Sequence, residues 1–206
     1  LPLFYILGYA ITTGEGAFTI SNLTAIADPV HLKSLGLSFQ VALITTLICL
    51  IMAYPVALIL HSLKISNKGF IVFLFILPMW MNFMLRILAW QNILSNNGIL
   101  NHILSAIGLF PIHILYTKTA VILGMVYDFL PYMILPIYNS LSKINDDVIE
   151  AAADLGSNWL NTFVKITIPL SRDGIISGII MVFVPALSSF VVSNLLGGGK
   201  VLLIGN

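Results

Sequence analysis

Apolar residues fall along this chain in long blocks, too long for strands and too uniformly apolar for helices that show one face to water. A membrane-crossing helix needs about 20 largely apolar residues at a rise of about 1.5 Å each. Residues 35–60, 70–90, 119–138 and 174–196 meet that requirement and are predicted as spans. Residues 1–11 are apolar but too short to cross alone, and read as the outer end of an earlier span that begins before Leu1. Each complete span carries proline: Pro55, Pro78, Pro131 with Pro136, and Pro185. Proline removes a backbone hydrogen bond and can kink a helix for gating, but it is also common in membrane helices generally, so both readings stand.

Composition agrees with the block pattern. Of 206 residues, 59% are hydrophobic and 8% charged, with a mean hydropathy of +1.03. A water-soluble fold has too little polar surface to cover such a chain. The expected class is therefore all-α integral membrane, multi-pass. A formal net charge of +1 provides no basic stripe for nucleic acid, and none is expected as a partner. Cys49 lies inside an apolar block and reads as a small buried hydrophobe. His31, His61, His102 and His113 form no i, i+4 pair and have no cysteine companion, so no metal site is expected.

The distribution of Lys and Arg sets an orientation. Residues 61–69 and 140–173 together hold Lys64, Lys68, Lys143, Lys165 and Arg172, whereas the opposite loops hold only Lys33, Lys118 and Lys200. The bias of five to three places 140–173 in the cytoplasm. That connection is polar but patterned. Asp147 is the expected cap of a short helix, with Glu150 completing a capping box and Gly156 ending it in the left-handed conformation. Ser157 or Asn158 caps a second helix with an apolar stripe of Trp159, Leu160, Phe163 and Val164, stopped by Pro169. An exposed hairpin with an apolar face wants a partner.

Within the hairpin, Glu150-Ala151-Ala152, three residues, Gly156, nine residues and Ile166-Thr167-Ile168-Pro169 resemble the E-A-A-x3-G-x9-I-x-L-P signature of permease subunits of bacterial binding-protein-dependent ABC importers. Ile168 for Leu is the one departure, a volume-conserving swap. The resemblance implies a permease-type helical bundle of six spans, five of them wholly or partly present. Residues 1–206 then form one transmembrane domain truncated at both ends, and 140–173 form a cytoplasmic coupling loop. Glu150, Ala151, Ala152, Gly156, Ile166 and Pro169 become its ATPase-coupling residues, with Ala151 and Ala152 permitting close helix approach and Gly156 the turn.

Three further segments resemble the spermidine/putrescine branch of that family: Leu77-Pro78-Met79-Trp80-Met81-Asn82 with Arg86, Val126 through Tyr132, and Leu195 through Lys200 followed by Leu202 to Asn206. The resemblance implies import of polyamines across a bacterial inner membrane. It also implies a cytoplasmic ABC ATPase dimer, a second homologous permease subunit and an extracytoplasmic solute-binding protein as partners, besides membrane lipid. ATP and Mg would be bound by the ATPase, with no cofactor and no catalytic residue in this chain. Gly197-Gly198-Gly199-Lys200 is similar to a phosphate-binding loop, but that motif needs Gly where Asn194 stands and Ser or Thr where Val201 stands.

Arg86 and Asp128 are the ionisable residues deep in predicted spans, at depths differing by a few ångströms by the rise rule. A charge there costs several kcal/mol unless it faces protein or water. Either the two form an ion pair that locks two helices, or Asp128 lies on a substrate path and attracts an ammonium group. Trp80, Tyr127 and Tyr132, with Trp90, are aromatic candidates for the same path, against the alternative of packing and interface anchoring. Three rivals to polyamine import remain: a permease of the same architecture for an iron complex, thiamine or phosphate; a secondary transporter or channel driven by ion gradients, which leaves the hairpin unexplained; and a membrane-embedded assembly scaffold without transport.

Overall fold

A computed structural model describes residues 29–62, 73–75 and 77–206. The expected partial span at 1–11 and most of the loop at 61–69 lie outside the described residues. Every described regular element is helical. Helix α1 runs Pro29–Ser62, starting on a proline whose fixed φ suits a first helical turn. A short 3₁₀ turn at Leu77–Trp80 precedes α2, Phe83–Leu94, and α3, Ile99–Ala106. Helix α4 runs Lys118–Leu141 and α5 Asp146–Asp154. Helix α6 runs Trp159–Leu170, α7 Arg172–Ser188 and α8 Val191–Gly197.

The expectation of one continuous helix per span holds for α1, which contains 35–60, and for α4, which contains 119–138. At 34 and 24 residues they extend about 51 and 36 Å, enough to cross a hydrocarbon core of about 30 Å. It fails elsewhere. The predicted span at 70–90 is broken at Leu77–Asn82, because Pro78 cannot continue a hydrogen-bond ladder and Asn82 starts a new helix. The Asn82 side chain accepts from the amides of Met84 and Leu85 at 2.9 and 3.4 Å, as an N-cap does. The predicted span at 174–196 begins two residues earlier, at Arg172, and is interrupted at Ser189 and Phe190 between α7 and α8. Toward its start, α7 joins α6 through a 64° bend.

The core is the three-way packing of α1, α4 and α7, with α8 laid against α4. Lipid offers little hydrophobic drive between helices, so small residues that admit close backbone approach matter most. Ala42, Ala53 and Ala57 of α1 are fully buried. A Cβ on Gly174 would sit 2.5 Å from the Pro136 carbonyl oxygen and from Ser140 Cβ, and one on Gly178 2.6 Å from Met133 sulfur. These glycines fix the α7–α4 distance. Cys49 is buried with its thiol directed to the Val126 carbonyl at 3.8 Å, a packing role as expected.

At the end of the bundle where α4 begins, polar side chains tie irregular backbone. Asn101 is buried and donates to the carbonyls of Ser95, Asn96 and Ile112 while accepting from the Ile112 amide at 2.8 Å. The Ile204 amide donates to Ser38 of α1 at 2.7 Å. Gly198 and Gly199 have φ of 56° and 74° and close the C-terminus of α8. A phosphate loop needs the opposite geometry, a glycine turn feeding a helix N-terminus.

Candidate functional site

The α5–α6 hairpin is built by its caps. Asn145 caps α5, its Oδ1 accepting from the Asp147 amide at 3.3 Å and its Nδ2 donating to Asp147 Oδ2 at 2.9 Å. The expected cap at Asp147 is therefore two residues late, and no capping box with Glu150 forms. Asp146 and Asp147 instead occupy the first turn, where negative charge meets the positive end of the helix dipole. Gly156 has φ 79°, as its place after α5 predicts. Its amide bonds the Ala153 carbonyl at 2.9 Å and that of Ser157 bonds Ala152 at 3.0 Å, the paired bonds of a Schellman turn. Asn158 then caps α6, accepting from the Asn161 amide at 2.8 Å.

Helix α6 ends at Leu170, one residue past Pro169 and at the 64° bend, as expected within the precision of a helix end. A π turn at Phe163–Thr167, closed by the Ile168 amide on the Phe163 carbonyl, widens the helix ahead of the proline and carries the chain to Leu170. The hairpin shows an apolar tip: Leu155 is 89% exposed and Trp159 74%, with Leu160 and Val164 also exposed. Glu150 and Ala151 are exposed beside it, Ala152 is buried, Ile166 half-buried and Pro169 exposed.

In the bundle, Arg86 Nη2 of α2 lies 3.4 Å from Asp128 Oδ1 of α4, with side chains 9% and 1% exposed. The guanidinium also donates from Nη1 to the Pro78 carbonyl at 3.2 Å and lies 5.7 Å from the Phe83 ring centroid. It thus ties the 3₁₀ turn, α2 and α4 together. Among the described residues, neither Asp128 oxygen accepts a hydrogen bond and Arg86 Nε donates none. The carboxylate is neutralised at one side and left with spare acceptor capacity.

The aromatic candidates do not gather into one cluster. Tyr127 meets Trp90 edge to face at 5.3 Å, Trp80 meets Phe73 at 5.8 Å, and Tyr132 lies 6.4 Å from Phe129. Trp80 and Tyr127 are exposed and Tyr132 half-buried. One constellation escaped the sequence reading. Tyr54 of α1 touches both Phe163 and Ser171, and no spacing rule relates residues 54 and 171.

An apolar helical bundle carrying a capped, apolar-tipped hairpin between two of its helices is the architecture of a membrane transport subunit. The family of binding-protein-dependent transport system inner membrane components matches residues 42–205, and the chain belongs to that family. It is similar to the spermidine/putrescine transport system permease protein PotB of Escherichia coli strain K12, at 42% identity over all of this chain and 78% of that protein. It is likewise 38% identical to PotB of Haemophilus influenzae over all of this chain and 75% of that protein. A bacterial ABC transporter involved in import of the acidic polysaccharide alginate shares the fold, with a TM-score of 0.71 over 98% of this chain and 71% of that one at 16% identity. The protein is a permease subunit of an ABC importer, integral to the bacterial inner membrane.

Proposed function

We propose that this permease subunit carries polyamines, spermidine or putrescine, into the cytoplasm. Similarity along the whole chain to PotB proteins carries the reading. The chemistry of the spans supports it. Asp128 is the sole carboxylate within the predicted spans, and its oxygens keep acceptor capacity after Arg86 is counted. Pro131 and Pro136 remove the amides that would otherwise bind the carbonyls of Tyr127 and Tyr132 four residues earlier. Carboxylate, freed carbonyls and aromatic faces are the groups that receive an ammonium as it leaves water. In this reading Asp128, Trp80, Tyr127 and Tyr132 line the path, and Arg86 holds Asp128 until substrate arrives.

Residues 140–173 face the cytoplasm, and the apolar tip of the hairpin docks on an ATPase dimer that binds ATP and Mg. Glu150, Ala151 and Ala152 lie along the docking face, Gly156 sets the turn, and Ile166 and Pro169 shape α6 as it enters the bundle. A second homologous permease completes the path and an extracytoplasmic binding protein delivers the substrate. The test is uptake of labelled spermidine into vesicles holding the assembled complex, with vanadate as inhibitor and putrescine, ferric citrate, thiamine and phosphate as competitors. Vanadate-sensitive uptake reduced by putrescine alone is expected. Absence of spermidine uptake, with uptake of another of these solutes, refutes the substrate.

A further inference from the structure

The bend between α6 and α7 keeps some backbone bonds, the Ser171 amide to the Thr167 carbonyl at 3.0 Å and the Ile175 amide to the Ser171 carbonyl at 3.1 Å, and a side-chain tie is added to them. Pro169 deletes one ladder bond there, and the π turn at Phe163–Thr167 has already loosened the helix on its hairpin side. At the joint itself stands Ser171, fully buried, its hydroxyl within 2.8 Å of the Tyr54 hydroxyl on α1. Ser171 Oγ also donates to the Ile168 carbonyl at 3.2 Å. A serine hydroxyl has a single proton, so Tyr54 is the donor in the bond they share. The Tyr54 ring lies edge-on to Phe163 at 5.6 Å, and Phe163 stacks in parallel on Trp159 at 5.5 Å. Trp159, at the head of α6, is mostly exposed. An unbroken line of contacts therefore runs from the exposed tip of the hairpin through Phe163 and Tyr54 to the joint, and into α1 next to Pro55, where that helix lacks a backbone bond.

We propose that Tyr54 is a positioning residue: it sets the angle between α6 and α7 and transmits displacement of the Trp159 end of the hairpin to α1. The proposal rests on the reading of the hairpin as the ATPase-docking element. Tyr54→Phe keeps the ring contact and leaves Ser171 bonded to Ile168, so it removes the tie without orphaning a polar group. Ser171→Ala strands the buried Tyr54 hydroxyl, the costlier half of the exchange. The double variant strands nothing.

The experiment uses the assembled complex in lipid nanodiscs, this chain carrying Cys49→Ala with spin labels at Ser62→Cys and Asn161→Cys and the partners cysteine-free. Tyr54→Phe is expected to lower the melting temperature by no more than about 2–4 °C, to broaden the 62–161 distance distribution, and to raise ATP hydrolysed per substrate imported about fivefold, the weight of one buried neutral hydrogen bond in a two-position equilibrium. Ser171→Ala is expected to melt lower, with the double variant returning to the Tyr54→Phe value. A wild-type distance distribution in Tyr54→Phe, or a broadened one with the wild-type ATP ratio, overturns the assignment. If the unsubstituted complex shows no substrate-stimulated hydrolysis, the docking reading fails, and the distance distribution still decides whether Tyr54 holds the joint.

Discussion

Removing either member of the Arg86–Asp128 pair tests whether it locks the broken span to α4. Asp128→Asn keeps the shape and deletes the charge, leaving a guanidinium that cannot shed its proton. Truncating one partner of a buried pair costs about 3–5 kcal/mol. Arg86 retains the Pro78 carbonyl and the Phe83 face, which puts Asp128→Asn at the low end, about 3 kcal/mol. For a chain of this size each kcal/mol moves the melting temperature by about 2–4 °C, so a drop of about 6–12 °C is expected. Arg86→Gln also frees the 3₁₀ turn at Leu77–Trp80 and is expected to lose at least as much. Because the contact is single, at 3.4 Å, the double variant is expected to recover about 1–2 kcal/mol relative to the sum of the singles. The assay is detergent melting of both singles and the double, paired with substrate-stimulated ATPase activity of the reconstituted complex. Strict additivity refutes the lock. If Asp128→Asn melts as the wild type but loses stimulation by substrate, Asp128 belongs to the path and not to the lock.

Four other substitutions have defined outcomes. Gly156→Pro cannot adopt a φ of 79°, and Glu150→Lys reverses an exposed charge; both are expected to abolish co-purification with the ATPase while leaving the protein inserted, and undiminished co-purification with wild-type uptake refutes the docking face. Gly174→Val forces side-chain atoms into the Pro136 carbonyl and is expected to cost about 2–3 kcal/mol by overpacking, read as a lower melting temperature with Gly36→Val, in open space, as the unaffected control. Asn101→Ala leaves the Ile112 amide and three carbonyls without their side-chain partner, with an expected loss of about 2 kcal/mol seen as faster amide exchange confined to residues 95–112.

The parts of the fold that were legible in the sequence are those where solvent alone decides the structure. In lipid a long apolar run has no option but helix, so α1 and α4 follow from hydropathy. The breaks do not. Both Pro55 and Pro78 sit in apolar runs, but α1 continues through Pro55 while the chain turns at Pro78. The difference lies in Asn82, whose side chain offers the next helix a cap, and in Arg86, whose guanidinium takes up the Pro78 carbonyl. Pro169 reads correctly as a helix end, since α6 stops one residue later. The π turn just ahead of it is not legible, because nothing in the spacing of Phe163 to Thr167 announces such a turn.

The candidate site divides along the same line. The hairpin was legible because its determinants are local: Gly156 for a left-handed turn and Asn158 for a cap act within a few residues, and the misplaced cap at Asp147 is an error between neighbouring cap formers. The Arg86–Asp128 pair was legible for a different reason, since two charges in lipid at one depth have few other places to go. Tyr54 and Ser171 satisfy neither condition. Both are uncharged, Tyr54 within α1 and Ser171 at the break between α6 and α7, and they are 117 positions apart. Only the bend that Pro169 and the π turn create brings the Ser171 hydroxyl to α1. Polar contacts that depend on a departure from regular helix are thus the ones a sequence conceals.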